Sequence, residues 1–180
     1  MNEIALAIRV LVALIFLTAA LGKLRHRAVL RGVVANYRLL PELAVPAFAF
    51  ALSPVEVAVA AGLLFAPVGW PEVLAAVLLT AFAMAMGINI ARGRRHIDCG
   101  CFQSALKQTL SWVLVARNAG LVLLLSVPLI VPEGALSAAA AMEALLTGTV
   151  LFVLLQSLNV LWSVVPAWRQ RHSLIAGAKK

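Results

Sequence analysis

Cys99-Gly100-Cys101 holds the only two cysteines of the chain, separated by a single glycine in a hydrophilic break between long apolar stretches. Two residues of chain span at most ~7 Å, so the sulfurs stay close whatever the local backbone does. Gly100 permits the tight turn that brings the Cα atoms within disulfide range. So small a ring favours reversible thiol/disulfide exchange over structural bracing. Arg94, Arg95 and His96, together with the start of the following helix, favour the reactive thiolate. Two other readings stand beside redox chemistry. The thiols are inert filler, or His96, Asp98, Cys99 and Cys101 form a metal site. The cramped spacing is unlike the usual zinc patterns, and two thiolates suit a soft ion such as Cu(I), so metal is the minority reading. His26 and His172 stand alone in basic segments and read as solvated.

A second set of polar residues lies inside apolar stretches: Arg9, Glu56, Asn89, Arg117, Asn118, Gln156 and Asn159. A charge at mid-membrane costs at least ~2.5–3.5 kcal/mol on insertion scales, so such groups turn to the bundle interior and pair. Glu56 and Arg117 have opposite charges and overlapping depths, which predicts a pair between the second and fourth spans. The pair either shapes the thiol site with Asn118 or merely locks two helices together. Arg9 is near enough to the end of its stretch to snorkel towards water.

The elements that must position these residues are set by composition. With 63% hydrophobic and 12% charged residues and a mean hydropathy of +1.01, 180 residues cannot form a water-soluble core with a polar shell. Five stretches, Ile4–Gly22, Ala47–Ala66, Val73–Ala91, Ser111–Val131 and Ala144–Val165, have 19 to 22 residues each. About 20 residues of helix cross a ~30 Å hydrocarbon layer. Pro41, Pro46, Pro67, Pro71, Pro132 and Pro166 punctuate them. The first stretch lacks a small-residue cleavage site and a compact basic start, and is expected to be a retained helix. The fold class is therefore all-α, a polytopic membrane helix bundle forming one integral membrane domain over residues 1–180.

The net charge of +8 is concentrated rather than spread. Thirteen of the 15 basic residues fall in three segments, after the first, third and fifth stretches. With five crossings these share one side, facing only Glu3, Glu72, Glu133 and Glu143 on the other. The positive-inside rule then puts the N-terminus outside and the C-terminus in the cytoplasm of a bacterial inner membrane. Trp112, Trp162 and Trp168 suit the inner aromatic belt and Trp70 the outer one. No folded polar surface exists on which basic residues could read nucleic acid. Between the first two spans, Leu30, Val33, Val34, Tyr37 and Leu40 recur at helical spacing with Arg27, Arg31 and Arg38 along one flank. That pattern predicts either a short interfacial helix meeting anionic lipid or a basic topogenic loop with local helix.

Several motifs together resemble a known family. Asp98-Cys99-Gly100-Cys101-Phe102, then Ser111-Trp112 and Arg117-Asn118, resemble the methylamine-utilisation membrane proteins (MauE), related to the DoxX-like membrane proteins. Gly22-Lys23-Leu24, Tyr37-Arg38-Leu39-Leu40-Pro41 and Pro54-x-Glu56 with Gly62 resemble the same family's earlier motifs. The resemblance implies an accessory protein for active methylamine dehydrogenase, whose small subunit carries a tryptophan-derived quinone and many disulfides. It implies processing, export or disulfide maturation of that subunit, beside a thioredoxin-like partner.

Three functions of different class follow. In the first, Cys99 and Cys101 cycle between dithiol and disulfide, with Glu56, Arg117 and Asn118 shaping the site. The second is a non-catalytic scaffold or export factor. The third, suggested by the DoxX-like side of the resemblance, is a quinone-linked oxidoreductase subunit, quinone being the one cofactor it brings in. Charge bias places the cysteines at the cytoplasmic face, whereas disulfides of an exported enzyme form outside. Either electrons cross the membrane from cytosolic thiols, or the basic segments are outside despite the rule.

Overall fold

The computed structural model describes residues 2–94, 110–131, 134 and 136–177, with side chains described only as far as Leu161. Among the described residues six α-helices follow one another: α1 Glu3–Arg25, α2 Arg27–Tyr37, α3 Val45–Phe65, α4 Trp70–Ala91, α5 Trp112–Ile130 and α6 Ala138–Gly177. A 3-10 turn, Glu42–Ala44, leads into α3. Five of the helices, all but α2, are long and apolar enough to cross a bilayer. The protein is a multi-pass membrane protein.

Helix α1 is apolar on every side, which fits a helix surrounded by others rather than one lying on a surface. The Asn2 side chain caps it by accepting the Ile4 N–H at 3.1 Å, with Glu3 in the first turn and Lys23 and Arg25 in the last. Those charges complement the helix dipole at both ends. The helix sits at the centre of the bundle, against α3 on one side, α6 on another and α5 on a third. α4 packs chiefly on α5 and touches α3. Leu11, Val12 and Phe16 of α1 meet Val59 and Leu63 of α3, Leu79 of α4 and Leu125 of α5 in the main core cluster.

Two backbone details fix the turns. Gly69, with φ +133°, opens the α3–α4 turn in a conformation that side-chain-bearing residues rarely adopt, and its N–H is held by Glu72 Oε2 at 2.8 Å. Arg38 ends α2 in the left-handed region, φ 49° and ψ 42°, three residues before Pro41. α6 comes so close to α1 that a Cβ on Gly148 would lie 2.6 Å from the Ala7 carbonyl oxygen. Away from α1 its described surface is exposed Leu and Val, as a lipid-facing helix requires.

α2 takes the helical alternative. Leu30 is buried against Ala49 and Leu52 of α3, while Arg27, Arg31 and Arg38 are exposed. The last helix differs most from expectation. It starts at Ala138 rather than Ala144 and runs past Pro166 to Gly177. The small residues Ala138–Ala141 add little hydropathy but are the best helix formers, so helical structure precedes the apolar window.

Candidate functional site

Residues 95–109, with His96, Asp98, Cys99, Gly100 and Cys101, lie outside the described residues, so the thiol pair and the four-residue metal reading have no described geometry. The two stems of that segment are described. On the α4 side the buried Asn89 amide donates to Ala85 O at 3.0 Å and accepts from the Arg94 guanidinium at 3.3 Å. The Arg94 N–H returns to the Asn89 carbonyl at 2.9 Å, past Gly93 in a left-handed turn. On the α5 side Leu110 is buried with Met86, Ile90 and Leu114. A polar staple and an apolar plug therefore hold both ends of the cysteine segment to the C-terminal end of α4.

Glu56 is fully buried on α3, and its partner is Lys23, with Nζ 2.5 Å from Oε1. The expected Glu56–Arg117 pair is not formed. Arg117 instead lies 3.4 Å from Asn159 Oδ1 on α6 and 3.4 Å from Asn118 Oδ1. The amide of Asn159 continues to Gln156 Oε1 at 3.0 Å. Azimuth decides contact: α3 lies against α1, whereas α5 faces α4 and α1. The structure thus separates Glu56 from Arg117 and Asn118. Asn118 is buried, and its Nδ2, like Arg117 Nε, has no hydrogen-bond partner among the described residues.

Lys23, like Glu72, is a buried pair-former that sequence reasoning missed. The apolar stretch stops at Gly22, so Lys23 was counted among the loop charges. The helix itself runs on to Arg25 and carries Lys23 back inside. Phe16, Ala19, Ala20 and Lys23 are all buried and recur at helical spacing, and that stripe was the available signal. Its ammonium also sits 5.5 Å from the centroid of the Phe82 ring.

Arg9 does not snorkel. It is buried, with Nε 2.7 Å from Leu63 O and Nη2 2.6 Å from Ala66 O and 3.2 Å from Gly62 O. Nε also lies 3.1 Å from Glu72 Oε1, and Glu72 is itself buried rather than in a solvated turn. A guanidinium fork can serve several carbonyls at the negative end of a helix dipole, which makes the interior the better site. Lys23 follows Arg9 by fourteen residues, ~21 Å along α1, so one buried ion pair guards each end of the bundle.

A cavity of about 360 Å³ opens between α2, α3 and α4 beside Lys23. Its wall is otherwise apolar apart from Tyr37. It lies in the half of the bundle from which the cysteine segment departs, with Met86 shared between its wall and the Leu110 cluster. Among the described residues no group of three or more His, Cys, Asp or Glu side chains could hold a metal ion.

The family described as "Methylamine utilisation protein MauE" matches residues 1–132, which covers α1 to α5. A protein named methylamine utilization protein MauE from Paracoccus versutus is 42% identical over 179 residues, 96% of this chain and 92% of the relative. One of the same name from Paracoccus denitrificans is 53% identical over 113 residues, 62% of this chain and 61% of the relative. Another, from Methylorubrum extorquens, is 48% identical over 118 residues, 64% of this chain and 63% of the relative. No solved structure matches.

Proposed function

The chain belongs to the MauE family of methylamine utilisation proteins, and from that premise we propose that it matures the small subunit of methylamine dehydrogenase through a Cys99/Cys101 thiol/disulfide switch. The observation that carries the proposal is the pairing of family membership with a Cys-Gly-Cys segment whose two stems, at Asn89–Arg94 and at Leu110, are packed onto the membrane bundle. In the exchange, one thiolate attacks a sulfur of a partner disulfide and the partner's other sulfur leaves as thiolate. The second cysteine then displaces the partner, closing Cys99–Cys101 with loss of two electrons and two protons from this chain. The reverse sequence oxidises the partner. The chain has only two cysteines, so it exchanges with one partner at a time, and a thioredoxin-like protein of the pathway is the proposed one.

The proposed setting is the bacterial inner membrane, as a single integral domain with the N-terminus outside and the C-terminus cytoplasmic. Lys23 leaves the set of exposed charges, yet the asymmetry stays large, since Arg25, Arg27, Arg31, Arg38 and Arg92 are all exposed at the same end. Glu56, Arg117 and Asn118 are supporting residues in this reading, acting through the packing of the helices that carry the segment.

A scaffold reading is favoured by a different observation: the two buried ion pairs each join two helices, Arg9 of α1 to Glu72 of α4 and Lys23 of α1 to Glu56 of α3. The Cys99→Ser/Cys101→Ser double variant separates the two. It should reach the membrane at wild-type level while mature, disulfide-complete dehydrogenase falls about tenfold or more. Unchanged dehydrogenase in cells carrying that variant would leave scaffolding as the function.

A further inference from the structure

We propose that the edge where Arg117 of α5 meets Asn159 of α6 is a docking surface for a transmembrane helix of another protein, one that carries an Asp or Glu side chain. Both buried cations among the described residues have carboxylates: Arg9 is paired with Glu72 and Lys23 with Glu56. Arg117, half-buried within the apolar span of α5, has no carboxylate in ion-pair reach among the described residues. Its acceptors are the neutral Oδ1 atoms of Asn118 and Asn159, both at 3.4 Å, whereas a charge-assisted bond closes to ~2.7–2.9 Å. A charge held this loosely inside a span is costly, and such residues mark a function or a partner.

Three features select the occupant. The cluster is short of acceptors: Asn159 Nδ2 donates to Gln156 Oε1, while Asn118 Nδ2 and Arg117 Nε find no partner among the described residues. A carboxylate brings two acceptor oxygens and the missing negative charge together. On the lipid side, Gln156, Ser157 and Asn159 interrupt the Leu and Val surface of α6, and none of the three is buried. Lipid tails offer such side chains nothing, whereas helices that meet inside a membrane hydrogen-bond through them. The polar row also runs inward. The apolar span of α6 covers Ala138–Leu161, so Gln156 lies ~4.5 Å deeper in it than Asn159. A lipid phosphate is confined to the headgroup layer and would leave Gln156 facing tails, but a helix follows the whole row. A second copy of this chain is the poorer fit, since the span carboxylates Glu56 and Glu72 are already held by Lys23 and Arg9.

The test is fluorescence energy transfer in phosphatidylcholine vesicles between the full chain, labelled at its N-terminus, and synthetic leucine helices of ~20 residues. The helices differ at one position about five residues from an end, which is Glu, Leu or Lys. The Glu helix should associate about tenfold more tightly than the Leu helix, and the Lys helix most weakly. Arg117→Leu should bring the Glu helix down to the level of the Leu helix, and Arg117→Lys should keep part of the preference. Arg31→Leu, at an exposed position of α2, should leave the preference intact, which separates docking from a general attraction to a basic chain. The helix series on the unmodified chain keeps the test decisive if Arg117→Leu fails to accumulate. Equal association of the Glu and Leu helices, or a Glu preference that survives Arg117→Leu, overturns the proposal. Displacement of the Glu helix by added phosphatidylglycerol would give Arg117 to a lipid headgroup, and transfer between two labelled copies that Arg117→Leu abolishes would give it to self-association; either result also overturns it. The readout is helix association and not thiol exchange, so its failure leaves the thiol reading standing.

Discussion

Glu56→Leu alone should sharply reduce the protein recovered from membranes, Lys23→Met alone should do the same, and the double variant should recover most of the loss. Each single change leaves a charge facing the buried α1–α3 contact, and breaking a buried pair on one side costs about 3–5 kcal/mol. Removing both charges deletes the desolvation cost together with the attraction, and apolar side chains of similar volume pack in their place. A double-mutant cycle on denaturation in mild detergent reads the coupling directly, with an expected interaction energy of about 2–3 kcal/mol. Single variants that behave like wild type would contradict the contact. A recovered double variant that accumulates without supporting dehydrogenase maturation would assign Lys23 or Glu56 a part beyond packing.

Arg9→Leu should be at least as damaging, because it removes the partner of Glu72 and three hydrogen bonds to the C-terminal carbonyls of α3 at once. Leaving one charged group buried and unpaired already costs about 3–5 kcal/mol. Arg9→Lys should be intermediate, since an ammonium keeps the charge but cannot span Leu63, Gly62 and Ala66 as the planar fork does. Glu72→Gln should be the mildest, because an amide oxygen still accepts from Gly69 N–H and the Arg9 guanidinium keeps its carbonyl acceptors at Leu63, Gly62 and Ala66. The same denaturation assay orders the three. If Glu72→Gln proved worse than Arg9→Leu, the ion pair and not the carbonyl cluster would dominate this end of the bundle.

Hydropathy and proline punctuation located all five long helices, because a bilayer demands ~20 apolar residues in a row and that demand is written locally. The amphipathic spacing around Leu30 likewise announced α2. What failed was azimuth. Glu56 was matched to Arg117 by depth, but a one-dimensional reading does not say which helix neighbours which. Lys23 and Glu72 were missed for a related reason: charges at the ends of apolar stretches look solvated until the helix is seen to run past them. Arg9 was given to water because the carbonyls that hold it belong to residues 62–66, more than fifty positions away. The small residues that begin α6 carried a helical signal that hydropathy does not register.

The most direct test of the thiol switch is alkylation trapping of Cys99 and Cys101 in intact cells, with membrane-permeant and impermeant reagents side by side. In the reduced protein at least one thiol should alkylate near neutral pH faster than an ordinary cysteine of pKa ~8.5. Mild oxidation should protect both thiols together, because the ring can close between neighbours one residue apart. The permeant reagent alone should reach them if the basic end is cytoplasmic. Slow alkylation of the reduced protein, with no protection after oxidation, would mean inert thiols and would contradict the switch.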